Sequence, residues 1–206
     1  MNFNLQLYLV TDSSMTTVEK LPFIVEQAVL GGVTMVQLRE KHANTKTFIN
    51  MAQQLKTMLS LYQIPLIIND RIDIALAIDA DGVHLGQDDM PYAIARKLLG
   101  AHKIIGLSVE SIAQVYEANT LDVDYIGISP VFATPTKTNT KIEFGIQGIQ
   151  SISKITKHKT VAIGGINTTN ASQIIQAGAN GIAVVSAIMK APDPKIAAQQ
   201  LKNVTS

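Results

Sequence analysis

The stretch Thr160–Ser186 reads TVAIGGINTTNASQIIQAGANGIAVVS and holds one complete unit of the fold. Thr160 to Ile163 is a short, continuously apolar run of strand-forming residues, broken by Gly164-Gly165. Gly178-Ala179-Asn180-Gly181-Ile182 then reads as a helix end, a tight turn and the start of the next strand, Gly181 to Val185, which Ser186 follows. Working outward, comparable runs recur at Leu7 to Val10, Thr34 to Leu38, Pro65 to Ile68, Gly82 to Leu85, Lys103 to Leu107 and Val123 to Ile128. Most are apolar throughout rather than alternating, as expected of parallel strands covered on both faces. A doubly wound sheet would most naturally carry its glycine-rich loop after the first strand, but that position reads Thr11-Asp12-Ser13-Ser14. The glycines come after strand seven and Ser186 after strand eight, where (β/α)8 barrels commonly bind phosphate.

Helical patterns fill the intervals. Phe48, Met51, Ala52, Leu55, Met58, Leu59 and Tyr62 recur at three- and four-residue steps and form one apolar stripe, with Asn44 or Thr45 as its cap. Ser111 with Gln114 resembles a capping box, and Pro91 and Pro194 stand where a first helical residue would. Gly31-Gly32-Val33 and Asp79-Ala80-Asp81-Gly82-Val83 read as further helix exits. Eight units in 206 residues average about 26 each, short for such barrels. The expectation is an α/β chain folded as a trimmed TIM barrel, with residues 1–206 forming one compact domain.

Composition narrows the function. With 47% hydrophobic residues the chain can build a sizeable core, and 17 basic against 16 acidic residues leave a net charge of +1. That balance sets up no global field for nucleic acid or an anionic membrane, so anion binding has to be local. The chain has no cysteine, which excludes disulfides, a thiol nucleophile and cysteine-rich metal centres, and suits a reducing, cytoplasmic setting. Met1 to Gln6 lacks the basic start of a signal peptide, and no apolar run approaches a membrane span. The expected partners are small molecules, with a homo-oligomer left open.

In a barrel, chemistry sits at the carboxyl ends of the strands. After strand two comes Gln37-Leu38-Arg39-Glu40-Lys41, whose period of two points Gln37, Arg39 and Lys41 one way if the strand continues. Arg supplies a planar fork and Lys a mobile charge, a pairing suited to a diphosphate, although a solvated strand end has the same pattern. Asn69-Asp70 follows strand three and Gln87-Asp88-Asp89 follows strand four. Each would serve as a helix cap, yet two carboxylates on neighbouring strand ends are also what Mg2+ needs alongside waters and substrate phosphates. Asp70 and Asp89 are therefore the metal candidates. His84 has no partner at zinc-site spacing and reads as a hydrogen-bonded residue lining the site. Ser108 follows strand five, and Pro130 to Gly145 is a sixteen-residue loop containing Ala133-Thr134-Pro135-Thr136-Lys137. Gly164-Gly165 and Val185-Ser186 offer backbone N–H groups for a phosphate monoester, though a turn with positive φ would also select glycine.

Taken together, Val36–Lys41, Ile68-Asn69-Asp70-Arg71, Gly82–Asp89, Thr134–Lys137 and Gly164-Gly165-Ile166 resemble the thiamine phosphate synthase family over nearly the whole chain. The resemblance implies a transferase that joins an aminopyrimidine diphosphate to a thiazole phosphate, releasing diphosphate, with Mg2+ as cofactor. It places Gln37, Leu38, Arg39, Glu40, Lys41, Asn69, Ser108 and Lys137 on the pyrimidine diphosphate. Arg39, Lys41, Ser108 and Lys137 carry the chemistry, and Asp70 and Asp89 hold the metal. Thr134, Pro135, Thr136, Gly165, Val185 and Ser186 fall to the thiazole phosphate. The chain departs from the family pattern at none of these positions, and Thr138 to Phe144 is the variable part of the loop. Two alternatives share the barrel: a thiazole tautomerase, which would need neither metal nor diphosphate clamp, and a phosphate-binding barrel without catalysis.

Overall fold

The computed structural model describes residues 3–133 and 143–205. Eight strands run in parallel: β1 (Leu7–Val10), β2 (Met35–Leu38), β3 (Leu66–Asn69), β4 (Gly82–Leu85), β5 (Ile104–Val109), β6 (Tyr125–Ile128), β7 (Lys159–Ile163) and β8 (Gly181–Val184). Each pairs with the next, and β8 closes onto β1 through Leu7–Ile182, Tyr8–Ala183 and Leu9–Val184, giving a closed barrel. The helices are α1 (Leu21–Leu30), α2 (Thr45–Leu61), α3 (Ile72–Ala77), α4 (Tyr92–Leu99), α5 (Ile112–Ala118), α6 (Gly145–Ile155), α7 (Ala171–Gln176), α8 (Ser186–Met189) and α9 (Pro194–Val204). The (β/α)8 expectation holds. The strand limits shift by one or two residues, chiefly because β5 runs on to Val109 and β6 starts at Tyr125 rather than Val123.

The continuous apolar runs are explained by two separate cores. Leu7 and Leu9 face outward into a large layer shared with the helices, while Tyr8 and Val10 face inward to a small cluster with Met35, Ile67, Ile104, Tyr125, Val161 and Ala183. A strand buried on both sides has no polar face to alternate with. The α2 stripe supplies the outer layer with Phe48, Met51, Ala52, Leu55 and Leu59. Truncating a fully buried residue such as Leu55 to Ala is worth about 2–5 kcal/mol.

The helix ends follow local chemistry. Asn44 caps α2 by accepting from Thr47 N–H, Asp193 caps α9 by accepting from Ile196 N–H, and Pro194 is the first residue of α9. Ser111 accepts from Gln114 N–H as expected, but the Gln114 amide oxygen reaches Glu110 N–H rather than closing back on the cap. Pro91 precedes α4 as its cap rather than opening it.

One device repeats four times around the amino-terminal rim. Thr34, Asp81, Asp124 and Asn180, each just ahead of an even-numbered strand, accept from the backbone N–H of Leu7, Leu66, Ile105 and Thr160 on the preceding strand. The same four residues donate their own N–H back to the carbonyls of those partners. Polar side chains at this rim are thus consumed in closing the barrel. Those at the opposite rim are left for a site.

Candidate active site

At the carboxyl rim, β2 ends at Leu38, so the residues from Gln37 to Lys41 do not share one direction as a continued strand would require. Gln37 points into the barrel, where its Nε2 donates to the Tyr8 hydroxyl at 2.9 Å. The Leu38 side chain is buried in the outer layer, leaving only its backbone to the rim. Arg39 and Lys41 lie in the following loop. Arg39 stands 3.6 Å from the Asp12 carboxylate of the β1 loop, and Lys41 Nζ donates to Asp70 Oδ2 at 2.5 Å. Glu40 is nearly buried with Oε1 lacking a hydrogen-bond partner; burial raises its carboxyl pKa against the opposing Ser13 hydrogen bond.

Asp70 is not a helix cap. Arg71 occupies that position on α3, and Asp70 sits in the left-handed region at φ 62° with its N–H donating to the His84 carbonyl. Aspartate tolerates that conformation better than most side chains, and such residues gather at functional sites. Asp89 is not a cap either: its Oδ2 accepts from Gly86 N–H at 2.6 Å and closes the turn after β4. The Asp70 and Asp89 carboxyls lie near enough for each to shift the other's ionisation. Burial opposes ionisation of Asp70, but the hydrogen bond from Asp89 and the Lys41 ammonium outweigh it and hold its pKa low. Burial and the neighbouring Asp70 raise that of Asp89. Two carboxyls of unequal pKa beside the Lys41 ammonium are hard oxygen donors of the kind a divalent cation takes.

Asn69, 8% exposed, ends β3 in register with His84. The His84 ring stacks on Tyr125 with centroids 5.5 Å apart, and its Nε2 lies 2.9 Å from Ser108 Oγ. Two glycines make room: a Cβ at Gly106 would meet the Tyr125 ring and His84 Nδ1 at 2.1–2.6 Å, and one at Gly127 would meet His84 Cε1 at 3.0 Å. Gly164 and Gly165 have φ 109° and 66°, and a Cβ on Gly165 would come within 2.8 Å of the Ala133 carbonyl oxygen. The turn alone therefore demands glycine there, whatever ligand it serves. Val185 and Ser186 form the junction of β8 with α8. Thr134, Pro135, Thr136 and Lys137 lie outside the described residues. Among the described residues no cluster of three or more His, Cys, Asp or Glu side chains is placed to hold a metal, and no helix is long and apolar enough to cross a membrane.

A family model described as thiamine monophosphate synthase matches residues 7–188. The chain belongs to the thiamine monophosphate synthase family. It is 54% identical over 196 residues to a thiamine-phosphate synthase of Vibrio campbellii, covering 95% of this chain and 96% of that one. It superposes on a thiamine phosphate pyrophosphorylase from Pyrococcus furiosus with TM-score 0.88 and 37% identity, covering 98% of this chain and 95% of the other. A 3-hexulose-6-phosphate synthase at 18% identity and TM-score 0.77, covering 97% of this chain and 99% of the other, shares the fold. Membership of the thiamine monophosphate synthase family makes the chain an enzyme, with the carboxyl rim as its candidate active site.

Sequence reasoning missed Tyr8, Tyr125 and Asp12. The signal for the tyrosines was a phenol on the inward side of a strand otherwise lined by aliphatic residues. For Asp12 it was a carboxylate just past β1, facing the basic loop.

Proposed function

We propose that the protein makes thiamine phosphate by displacing diphosphate from an aminopyrimidine methylene with a thiazole nitrogen, in a dissociative reaction assisted by Mg2+. The observation that carries this reading is the encounter of Asp70 and Asp89, from neighbouring strand ends, with Lys41 against them. The donor set fits the metal, since Mg2+ typically takes one or two carboxylates and completes its shell with water and phosphate oxygens. Asp70 and Asp89 would hold the ion, which when bound would offset negative charge on the leaving diphosphate. Asp12 and Asp70 hold Arg39 and Lys41 ready at the rim, and both cations turn to the phosphates when the substrate arrives. Lys137 adds a third positive charge. Gln37, Asn69 and Ser108, with the Leu38 and Glu40 backbone, orient the pyrimidine; Gly165, Val185 and Ser186, with Thr134, Pro135 and Thr136, receive the thiazole phosphate. His84 lines the wall between them.

No enzyme nucleophile enters the reaction. The electron-rich pyrimidine ring stabilises the methylene cation once the carbon–oxygen bond breaks, and the thiazole nitrogen supplies the electron pair for the new bond. The residues' tasks are to neutralise the leaving group, align two substrates and exclude water. We place the enzyme in the cytoplasm as one domain over residues 1–206, acting on these two small molecules. Purified protein with both substrates and Mg2+ should release diphosphate and lose that activity with a chelator. Folded protein that releases none refutes the proposal; isomerisation of the thiazole phosphate alone, surviving the chelator, would indicate a tautomerase.

A further inference from the structure

A chain of hydrogen bonds crosses the barrel interior beneath the site. Gln37 Nε2 donates to Tyr8 Oη at 2.9 Å, Tyr8 Oη lies 3.0 Å from Tyr125 Oη, Tyr125 Oη lies 3.0 Å from His84 Nδ1, and His84 Nε2 lies 2.9 Å from Ser108 Oγ. Five side chains from β1, β2, β4, β5 and β6 are thus linked end to end. Each phenol has one proton, so the chain has a direction. Because Tyr8 accepts from Gln37, its proton goes to Tyr125. Tyr125 then gives its own to His84 Nδ1. A neutral imidazole whose Nδ1 accepts must be protonated at Nε2, and that N–H donates to Ser108. The Ser108 hydroxyl proton is then not needed by His84 and is free to turn to the rim.

We propose that Tyr8 and Tyr125 are positioning residues that set the His84 tautomer and thereby present Ser108 as a hydrogen-bond donor to the leaving diphosphate. The inference rests on the function proposed above for the rim and extends it to residues that never touch substrate. Both phenols are fully buried, and burial raises their pKa values, so they remain protonated donors at working pH. The opposite direction would begin with the Gln37 amide turned over. It would put the proton on His84 Nδ1 and spend the Ser108 hydroxyl on His84 Nε2, leaving the diphosphate without that donor.

The two directions are told apart by the His84 tautomer. The probe is 15N-detected NMR of ring-labelled histidine in substrate-free protein, recorded at rising pH until the ring nitrogen shifts no longer change. The chain has four histidines, and His84→Asn assigns the resonance. The expected result is an N–H at Nε2 and a bare Nδ1; a proton on Nδ1 overturns the proposal. Tyr125→Phe keeps the stacked ring but removes the donor to Nδ1. It should mix the tautomers and lower kcat roughly 10- to 100-fold, as loss of an orienting partner does, with the KM for thiazole phosphate unchanged. In a Ser108→Ala background the same substitution should add almost nothing, because Tyr125 acts through Ser108. Fully additive losses would show that Tyr125 serves packing alone. The tautomer is read without turnover, so a wild-type protein that makes no thiamine phosphate would refute the proposed function while leaving the relay separately tested.

Discussion

Replacing Asp89 separates its two bonds, one to the backbone and one to the site. Asp89→Ala removes the acceptor for Gly86 N–H, a half-buried bond of 2.6 Å, worth about 1–2 kcal/mol. At about 2–4 °C per kcal/mol for a chain of this size, the melting temperature should fall by roughly 2–8 °C. The loss should sit near the low end, because the substitution also relieves the crowding of Asp70 that raises the Asp89 pKa. Asp89→Asn keeps an oxygen for Gly86 and offers an N–H to Asp70, so its melting temperature should stay close to wild type. Both variants remove an anionic ligand of the proposed metal, and both should slow diphosphate release by about 100- to 1000-fold, the scale of a lost electrostatic stabiliser. Calorimetric melts and a coupled diphosphate assay, run with saturating substrates and Mg2+, measure the two effects independently. If Asp89→Asn turns over at the wild-type rate, the carboxylate has no part in the chemistry. If Asp89→Ala melts far below this range with its rate loss explained by unfolding, Asp89 is a structural turn residue.

Gly86→Ala offers a subtler perturbation: its Cβ would lie 2.9 Å from Asp89 Oδ2, which can swing away at the cost of the Gly86 N–H bond, so activity should fall by about 10-fold or more while stability falls no further than in Asp89→Ala. Glu40→Gln addresses the buried carboxyl. Its folded-state pKa is raised, so the stability it contributes is present below the ordinary glutamate value of 4.5 and is lost as pH climbs through the raised one. The variant should therefore melt higher than wild type at about pH 8 and match it at about pH 4; an equal difference at both would refute the assignment. Asp81→Ala strips the acceptor from Leu66 N–H and the partner from Lys56 at the amino-terminal rim, and should destabilise by about 1–3 kcal/mol with kcat unchanged.

The barrel was legible because its strands are doubly buried: Leu7-Tyr8-Leu9-Val10 has no polar side to confuse with a surface strand, and Gly178 and Asp79 mark helix exits in the left-handed region. The position of the late glycines was equally informative, since φ 109° and 66° at Gly164 and Gly165 admit few other residues. Other features depend on pairing across the barrel, which spacing along the chain does not encode. Tyr8 and Tyr125 are 117 residues apart and read singly as core; only closure brings their hydroxyls together. Asp70 and Asp89 look like helix caps in sequence, and the parallel β3–β4 register turns them into a facing pair. The Gln37 to Lys41 pattern misled in one respect, because period two applies only while the strand lasts and β2 stops at Leu38. The amino-terminal rim showed the reverse: Asp81, Asp124 and Asn180 stand out as polar residues beside strands, yet their hydrogen bonds are spent on the barrel itself.

The proposed chemistry requires Asp70 and Asp89 to grip a divalent cation against a diphosphate clamped by Arg39 and Lys41. A crystal structure of the protein with Mg2+ and diphosphate tests it most directly. The expected result is one Mg2+ at about 2.0–2.1 Å from an oxygen of either carboxylate and from the diphosphate, with both cationic side chains turned from their aspartates onto phosphate oxygens. A diphosphate bound elsewhere on the barrel, or bound at this rim with Lys41 still on Asp70 and neither carboxylate on a metal, would contradict it.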